Sequence, residues 1–444
     1  MTTDHWEEDG HVRAAFDWFM QFFKPEQWRS RKTQIEDYIH SVHETKSQPV
    51  PLTSSSTRVS FNQDQIAWYL YLADAYLTHP KDYDFSQGAR VIPQIKTLGR
   101  FVDILDSIEN IHEYLSKKIN NIHTNADSLF FELLVALTYK RNNWSKVVFI
   151  PESPPSKSPD IFASDGNDEW FIECKKLAKS SQYSLDEREK WLLMWRPLSG
   201  FLRDNKKSII LDIVFHVELK TLDDSFVYNT LIPKLKFVVT DGVVVDNEVW
   251  KVSAKFVDLG AIRKKLTKSY VKIPSSSLAS LVTGEHLPSV GFTCVFLGKP
   301  SPIHPTYLDD IDFISCARWY CDAEEAILKK ARDIRAQLSD ATSQLPDNKA
   351  SIIHVGVESH DGPIVEDERF SRILNTVSFW DSNNKDIQWI YCHIFDPQVP
   401  PDENWDFGET VLCFSKQNAL EAPLKNHNLV DLENMRFSDG VFWQ

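Results

Sequence analysis

Apolar residues in the first 120 positions recur every three or four residues, in 12–23, 66–77 and 95–115, so this stretch reads as helical. The Ser- and Pro-rich segment 48–60 between the first two reads as an exposed loop. Trp6, Trp18, Trp28 and Trp68 read as packing residues of a helical core, since each ring buries a large area. At about residue 121 the pattern changes. A strongly apolar helix over 126–141 is followed by three short strand-like runs, 147–150, 160–163 and 170–174. Ser184-x-x-Glu187 has the form of a capping box opening a helix to about Asp204, and 209–217 is a β-rich run. Helix, three strands, helix, strand is an α/β signature.

Residues 221–300 read as β-rich, with an Asp241-Gly242 turn between the runs 237–240 and 243–245. Ser275–Ser280 reads as a loop, 320–345 as one helix, and 351–357 and 388–394 as strands. No period of 20–50 residues repeats.

Composition narrows the class. With 42% hydrophobic and 25% charged residues over 444 positions, the chain is that of a folded protein of several domains. The net charge of −14 excludes a wholesale basic coat but leaves room for a local basic groove. Six cysteines without a C-x-x-C exclude a disulfide scaffold and argue against a cysteine zinc site. The acidic N-terminus lacks a signal-peptide core and no apolar run approaches the roughly 20 residues of a membrane span, so a cytoplasmic protein without membrane contact is expected.

One segment carries chemistry: Pro159-Asp160, then Glu173-Cys174-Lys175. Gly166-Asn167 between two apolar runs predicts a two-residue hairpin turn. Asp165 then faces Asp168, Phe162 faces Phe171, and Asp160 faces Glu173. The turn accounts fully for Asp165 and Asp168. Two carboxylates directly across a strand pair repel unless a cation lies between them. Strand alternation puts Lys175 on the face of Glu173 and turns the Cys174 thiol away. Asp160, Glu173 and the Cys174 main-chain carbonyl suit Mg²⁺, with Mn²⁺ as a substitute, because a hard cation takes one or two carboxylates and keeps its waters. The metal would acidify a water and neutralise transition-state charge, with Lys175 orienting the water or stabilising developing charge.

These residues resemble the PD-(D/E)xK nuclease superfamily, the restriction-endonuclease-like fold. Asp160, Glu173 and Lys175 match the motif without substitution, and Glu132 in the 126–141 helix matches the acid that the family carries on the preceding helix. The resemblance covers about residues 121–218. It implies a mixed sheet flanked by helices and Mg²⁺-dependent hydrolysis of phosphodiester bonds, with Glu132 as a further candidate metal ligand. The expected division is a helical domain (1–120), the nuclease core (121–220), a β-rich lobe (221–320) and a C-terminal α/β region with an acidic tail (321–444). The family expects a crossover helix and a further strand after Glu-x-Lys. Residues 185–204 with 209–217 satisfy this, as do 323–344 with 352–357; the shorter connection is preferred.

A nuclease must neutralise phosphates. Residues 251–272 carry seven basic side chains against one acidic, whereas 358–444 carry sixteen acidic against six basic. Arg263, Lys264, Lys265 and Lys268, together with Lys176, are therefore the candidate nucleic-acid contacts, and a solvated charged face is their bland alternative. DNA is favoured over RNA as substrate. Gly298-Lys299-Pro300 fails as a phosphate-binding loop, and neither a zincin nor a hydrolase motif occurs. His354-x-x-x-Glu358-x-His360 invites a metal reading, but its strand-and-turn pattern argues for structure.

The layout resembles bacterial restriction and antiphage-defence effectors. Two competing readings remain: a scaffold that keeps the fold without cleaving, and a subunit inert until a partner such as an NTPase joins it; a homo-oligomer is a further expectation.

Overall fold

The computed structural model describes residues 9–45, 61–151, 157–178, 180–273, 275–287, 290–302, 306–359, 361–382 and 384–431. The expected loop at 48–60 and Trp6 lie outside them.

Six helices come first: α1 (Gly10–Met20), α2 (Pro25–Thr45), α3 (Gln65–Thr78), α4 (Phe85–Arg100), α5 (Val102–Asp106) and α6 (Ile111–Asn120). The periodic stretch 95–115 is thus three helices. It breaks after Arg100 and again at 107–110, where Asn110 takes a left-handed backbone (φ 66°). Then follow α7 (Ala126–Arg141), β1 (Lys146–Phe149), β2 (Ile161–Ser164) and β3 (Glu169–Lys176), as the sequence pattern predicts.

After β3 the chain enters a second unit. Helix α8 (Gln182–Asp204) is capped by Ser181, whose hydroxyl accepts from the Ser184 N–H at 2.9 Å, so the cap sits one turn before the expected capping box. It leads to β4 (Ile209–Phe215), short helices α9 (Phe226–Thr230) and α10 (Ile232–Leu235), and the hairpin β5 (Gly242–Asp246) and β6 (Trp250–Phe256). Residues 237–240 form no strand; the hairpin turn lies at 247–249. Helix α11 (Leu259–Leu266), β7 (Val271–Lys272), α12 (Ser276–Thr283), β8 (Gly291–Pro300) and β9 (Tyr307–Cys321) complete the unit. The Ser-rich segment is helical because Ser275 caps α12 through the Leu278 N–H and Leu278 and Val282 bury a face.

The chain then returns through α13 (Glu324–Lys330), α14 (Arg335–Gln344), β10 (Ser351–Glu358), α15 (Pro363–Ser378), β11 (Ile387–Gln398) and β12 (Asp406–Ser415).

The strands form two mixed sheets. One has the order β1-β2-β3-β10-β11-β12, and the other β5-β6-β4-β9-β7 with β8 on β9. The strand beside β3 is therefore β10, in parallel register Ile353↔Glu173 and Val355↔Lys175. The preferred crossover through 185–217 is corrected: β4 pairs with β6 and β9 in the second sheet. The reason is burial. Every residue of β10 is buried, as a central parallel strand covered on both faces requires. Gly356 allows this contact, since a Cβ there would stand 2.7 Å from both Phe131 and the Lys176 stem. β4 instead carries Asp212, half-exposed and paired to Arg318 at 2.5 Å.

The expected boundaries shift accordingly. Val12, Phe19, Leu70, Ile92 and Phe130 share one core with Ile161, Ile172, Ile352 and Tyr391, so α1–α7 are a layer on the first sheet rather than a separate domain. Leu338, Ala341 and Ile373 cover its other face against Ile353, Val355 and Ile394. The second unit spans about 181–322 and has its own core around Trp191, Trp195, Phe215 and Trp250.

Candidate active site

The site begins with the β2–β3 hairpin. Gly166 takes φ 101°, and the Asp165 carboxylate accepts from the Asn167 and Asp168 N–H groups, both at 2.9 Å. This turn sets the register Ile161↔Ile172 and Phe162↔Phe171, as the sequence predicts. Asp160 lies one step beyond the ladder, and its Oδ2 accepts from the Cys174 N–H at 2.8 Å. In an extended strand the N–H and C=O of one residue point to the same side, so the Cys174 carbonyl also faces Asp160. The Cys174 thiol is buried in the α7-facing core, and burial pushes its pKa well above the ordinary range.

Glu173 is only 1% exposed. Its Oε1 pairs with the Lys175 Nζ at 2.8 Å, while its Oε2 is buried without a hydrogen-bond partner among the described residues. Glu173 lies within hydrogen-bonding reach of Asp160, so a shared proton would satisfy both carboxyls; with both ionised, that oxygen has no donor. From α7, the buried Glu132 accepts from the Tyr114 hydroxyl.

The electrostatics follow from this crowding. Burial and then the charge of Asp160 push Glu132 up to about 8 and Glu173 up to about 9. Burial also raises Asp160, against the Cys174 N–H, Lys175 and Lys118. Burial draws Lys175 down, but Glu173 and Asp340 hold it above the usual lysine range. Three carboxyls at one strand end thus resist simultaneous ionisation, which a proton or a cation relieves.

Among the described residues no three His, Cys, Asp or Glu side chains are grouped to hold a metal ion. The donors that remain are two carboxylates and one carbonyl, a set that suits Mg²⁺, which keeps most of its own waters. The partnerless Glu173 oxygen fits that use. Glu132 is engaged by Tyr114 and held toward its neutral form by burial and Asp160, so in this arrangement it is a neighbouring acid rather than a third ligand.

The structure thus brings Asp160, Glu173, Lys175 and Glu132 together, and adds four residues that sequence reasoning missed. Tyr114 and Lys118 come from α6. Asp340 of α14 pairs with the Lys175 Nζ at 2.7 Å and the Lys157 Nζ at 3.4 Å. The longer crossover, whose helix carries Asp340, was a signal for that residue alone; Tyr114, Lys118 and Lys157 had none.

The candidate nucleic-acid contacts divide. Lys176 is corrected: its side chain is 3% exposed, 3.4 Å from Glu358 and over the Phe395 ring, because even-numbered β3 positions face the α7 side. Arg263 is exposed but engaged by Asp310 and Asp312 at 3.2 and 3.3 Å. Lys272 donates to the Lys81 and Tyr83 carbonyls and ties the second unit to the helical layer. Lys264, Lys265 and Lys268 are exposed on and just after α11.

The histidine motif is structural. Glu358 binds Arg90 at 2.8 Å, and His360 lies outside the described residues. His354 instead joins a buried chain: Tyr139 Oη to its Nε2 at 3.1 Å, its Nδ1 to His393 Nε2 at 2.9 Å, and His393 Nδ1 to Glu409 at 2.9 Å.

No helix among the described residues is long and apolar enough to cross a membrane. Comparison with models of known protein families, with curated proteins and with solved structures found no match.

Proposed function

We propose that this chain is a metal-dependent nuclease of the PD-(D/E)xK type that hydrolyses phosphodiester bonds, with DNA the favoured substrate. The observation that carries the reading is the meeting of Asp160 and Glu173 at the open end of the β2–β3 hairpin, with Lys175 on Glu173 and an orphaned carboxylate oxygen between them. The order α7, β1–β3, α14 and β10, with β10 parallel to β3, supports it, since this is the helix–three-strand–helix–strand layout the resemblance implies.

Asp160, Glu173 and the Cys174 carbonyl would hold Mg²⁺. Bound there, the ion supplies charge neutralisation at the phosphoryl group and acidifies water. Lys175 is 19% exposed, so its ammonium reaches solvent and can orient an attacking water or face charge developing on phosphate oxygens. Glu132, raised to about 8 without an ion, would ionise as a cation arrives and add to the negative charge that holds it. Lys264, Lys265 and Lys268 offer charge for the phosphate backbone. A role in restriction or antiphage defence fits the two-unit layout.

The test is incubation of purified protein with supercoiled plasmid, linear DNA and RNA in Mg²⁺ or Mn²⁺. Cleavage should vanish with EDTA and fall by about 10²–10⁴-fold in Asp160→Asn and in Lys175→Ala. Cleavage that survives both substitutions would place the chemistry elsewhere, and silence on every substrate would return the scaffold and partner-dependent readings.

A further inference from the structure

The Asp340 carboxylate stands between two lysines that arrive from different parts of the first unit. Its Oδ2 is 2.7 Å from Lys175 Nζ on β3, and its Oδ1 is 3.4 Å from Lys157 Nζ in the segment leading to Asp160. Lys157 also donates to Ser343 at 2.9 Å, one turn along α14.

The two partners of Lys175 differ in kind. Glu173 is 1% exposed and built into the strand, so it suffices to orient the ammonium. Asp340 is 52% exposed on a surface helix, and exposed ion pairs are weak. A phosphodiester oxygen matches the carboxylate in charge and hydrogen-bonding character and arrives with further contacts of its own. The bracketed carboxylate thus occupies the kind of place that a phosphate takes.

We propose that Lys157 and Lys175 form a phosphate subsite, and that Asp340 fills it in the substrate-free protein until a nucleic-acid phosphate displaces the carboxylate. This rests on the nuclease reading and adds to it both a subsite and a built-in competitor.

The experiment separates the subsite from a merely structural ion pair, because it asks for opposite effects from the two ends of one contact. Binding of a fluorescently labelled 20-base-pair DNA duplex is measured by anisotropy in EDTA, without turnover, across a salt series. Asp340→Asn should tighten Kd by about 2- to 5-fold, the size of one exposed pair, and Asp340→Glu should stay near wild type. Lys157→Ala should weaken Kd by a similar factor and reduce the log–log salt slope by about 1. Effects in the same direction from Asp340→Asn and Lys157→Ala, or none from either, overturn the subsite. In Mg²⁺, a kcat for Asp340→Asn reduced tenfold or more would also overturn it, making Asp340 a positioning residue instead. The expected Kd order without any cleavage would defeat the nuclease reading and leave the subsite standing.

Discussion

Two of the buried clusters of ionisable groups on the first sheet draw on α7, one through Glu132 and the other, two turns later, through Tyr139. They are built in opposite ways. In the chain Tyr139–His354–His393–Glu409, two neutral histidines give every donor an acceptor in one direction, ending on the Glu409 carboxyl, which burial pushes up to about 7 against the Val430 and Leu429 N–H groups. Glu409 also accepts from the Leu429 and Val430 N–H groups, which fastens the C-terminal segment to the core. At the β2–β3 end, Glu132, Asp160 and Glu173 repel one another when ionised, and one buried Glu173 oxygen then has no donor among the described residues. A fully satisfied network specifies a core, whereas a frustrated one held in place by its surroundings marks a site.

This contrast breaks if the satisfied chain proves dispensable. His393→Ala leaves His354 and Glu409 without their shared partner and opens a cavity, so it should cost about 3–5 kcal/mol in chemical denaturation. Wherever the variant is still folded, cleavage should stay within a few-fold of wild type. A large loss of activity at unchanged stability would make the histidine chain part of the chemistry.

The acid cluster should behave in the reverse sense, and pH sharpens the difference. Burial and Asp160 raise Glu173 to about 9, so folding favours its neutral form. Its contribution is complete below the ordinary carboxyl range and is lost as pH climbs toward 9. In EDTA, Glu173→Gln should therefore be at least as stable as wild type at pH 8, and its Tm should decline less between pH 5 and 9. A Gln variant clearly less stable than wild type at pH 8 would show that the ionised acid supports the fold. The histidines have the opposite sign: burial holds both well below 6.5, so their contribution is present above that value and falls as acid protonates the unfolded chain.

The smallest effect tests the end of the chain. Tyr139→Phe removes one hydrogen bond to His354 while keeping the ring against Trp144, and should cost about 1 kcal/mol. A loss several times larger would mean that the chain acts as one cooperative unit.

Much of the candidate site was legible because it is local. Gly166-Asn167 sets a turn, the turn sets a register, and a period of two puts Asp160 across from Glu173 and Lys175 beside it. Helix α7 was legible from its apolar run, and the structure adds the Asn125 cap that starts it. The same local reasoning failed where two continuations were equally well patterned. Short crossovers are the rule, but here about 140 residues intervene, and what decided the matter was the burial of β10 on both faces against α7 and α14. The Lys176 misreading has the same origin: a lysine beside a candidate site looks like a phosphate contact until the α7-side core encloses it.

The sequence by itself determined the run from α7 through β1–β3, the hairpin register and the three-residue core of the candidate site, since turn chemistry and side-chain period act over a few residues. Only the tertiary structure decided which strand completes the sheet, which lysines reach solvent, and that Asp340, Tyr114 and the histidine–glutamate chain exist as contacts. Those depend on residues as many as 270 positions apart in the chain, and such partners are chosen by which faces can be buried together rather than by any local pattern.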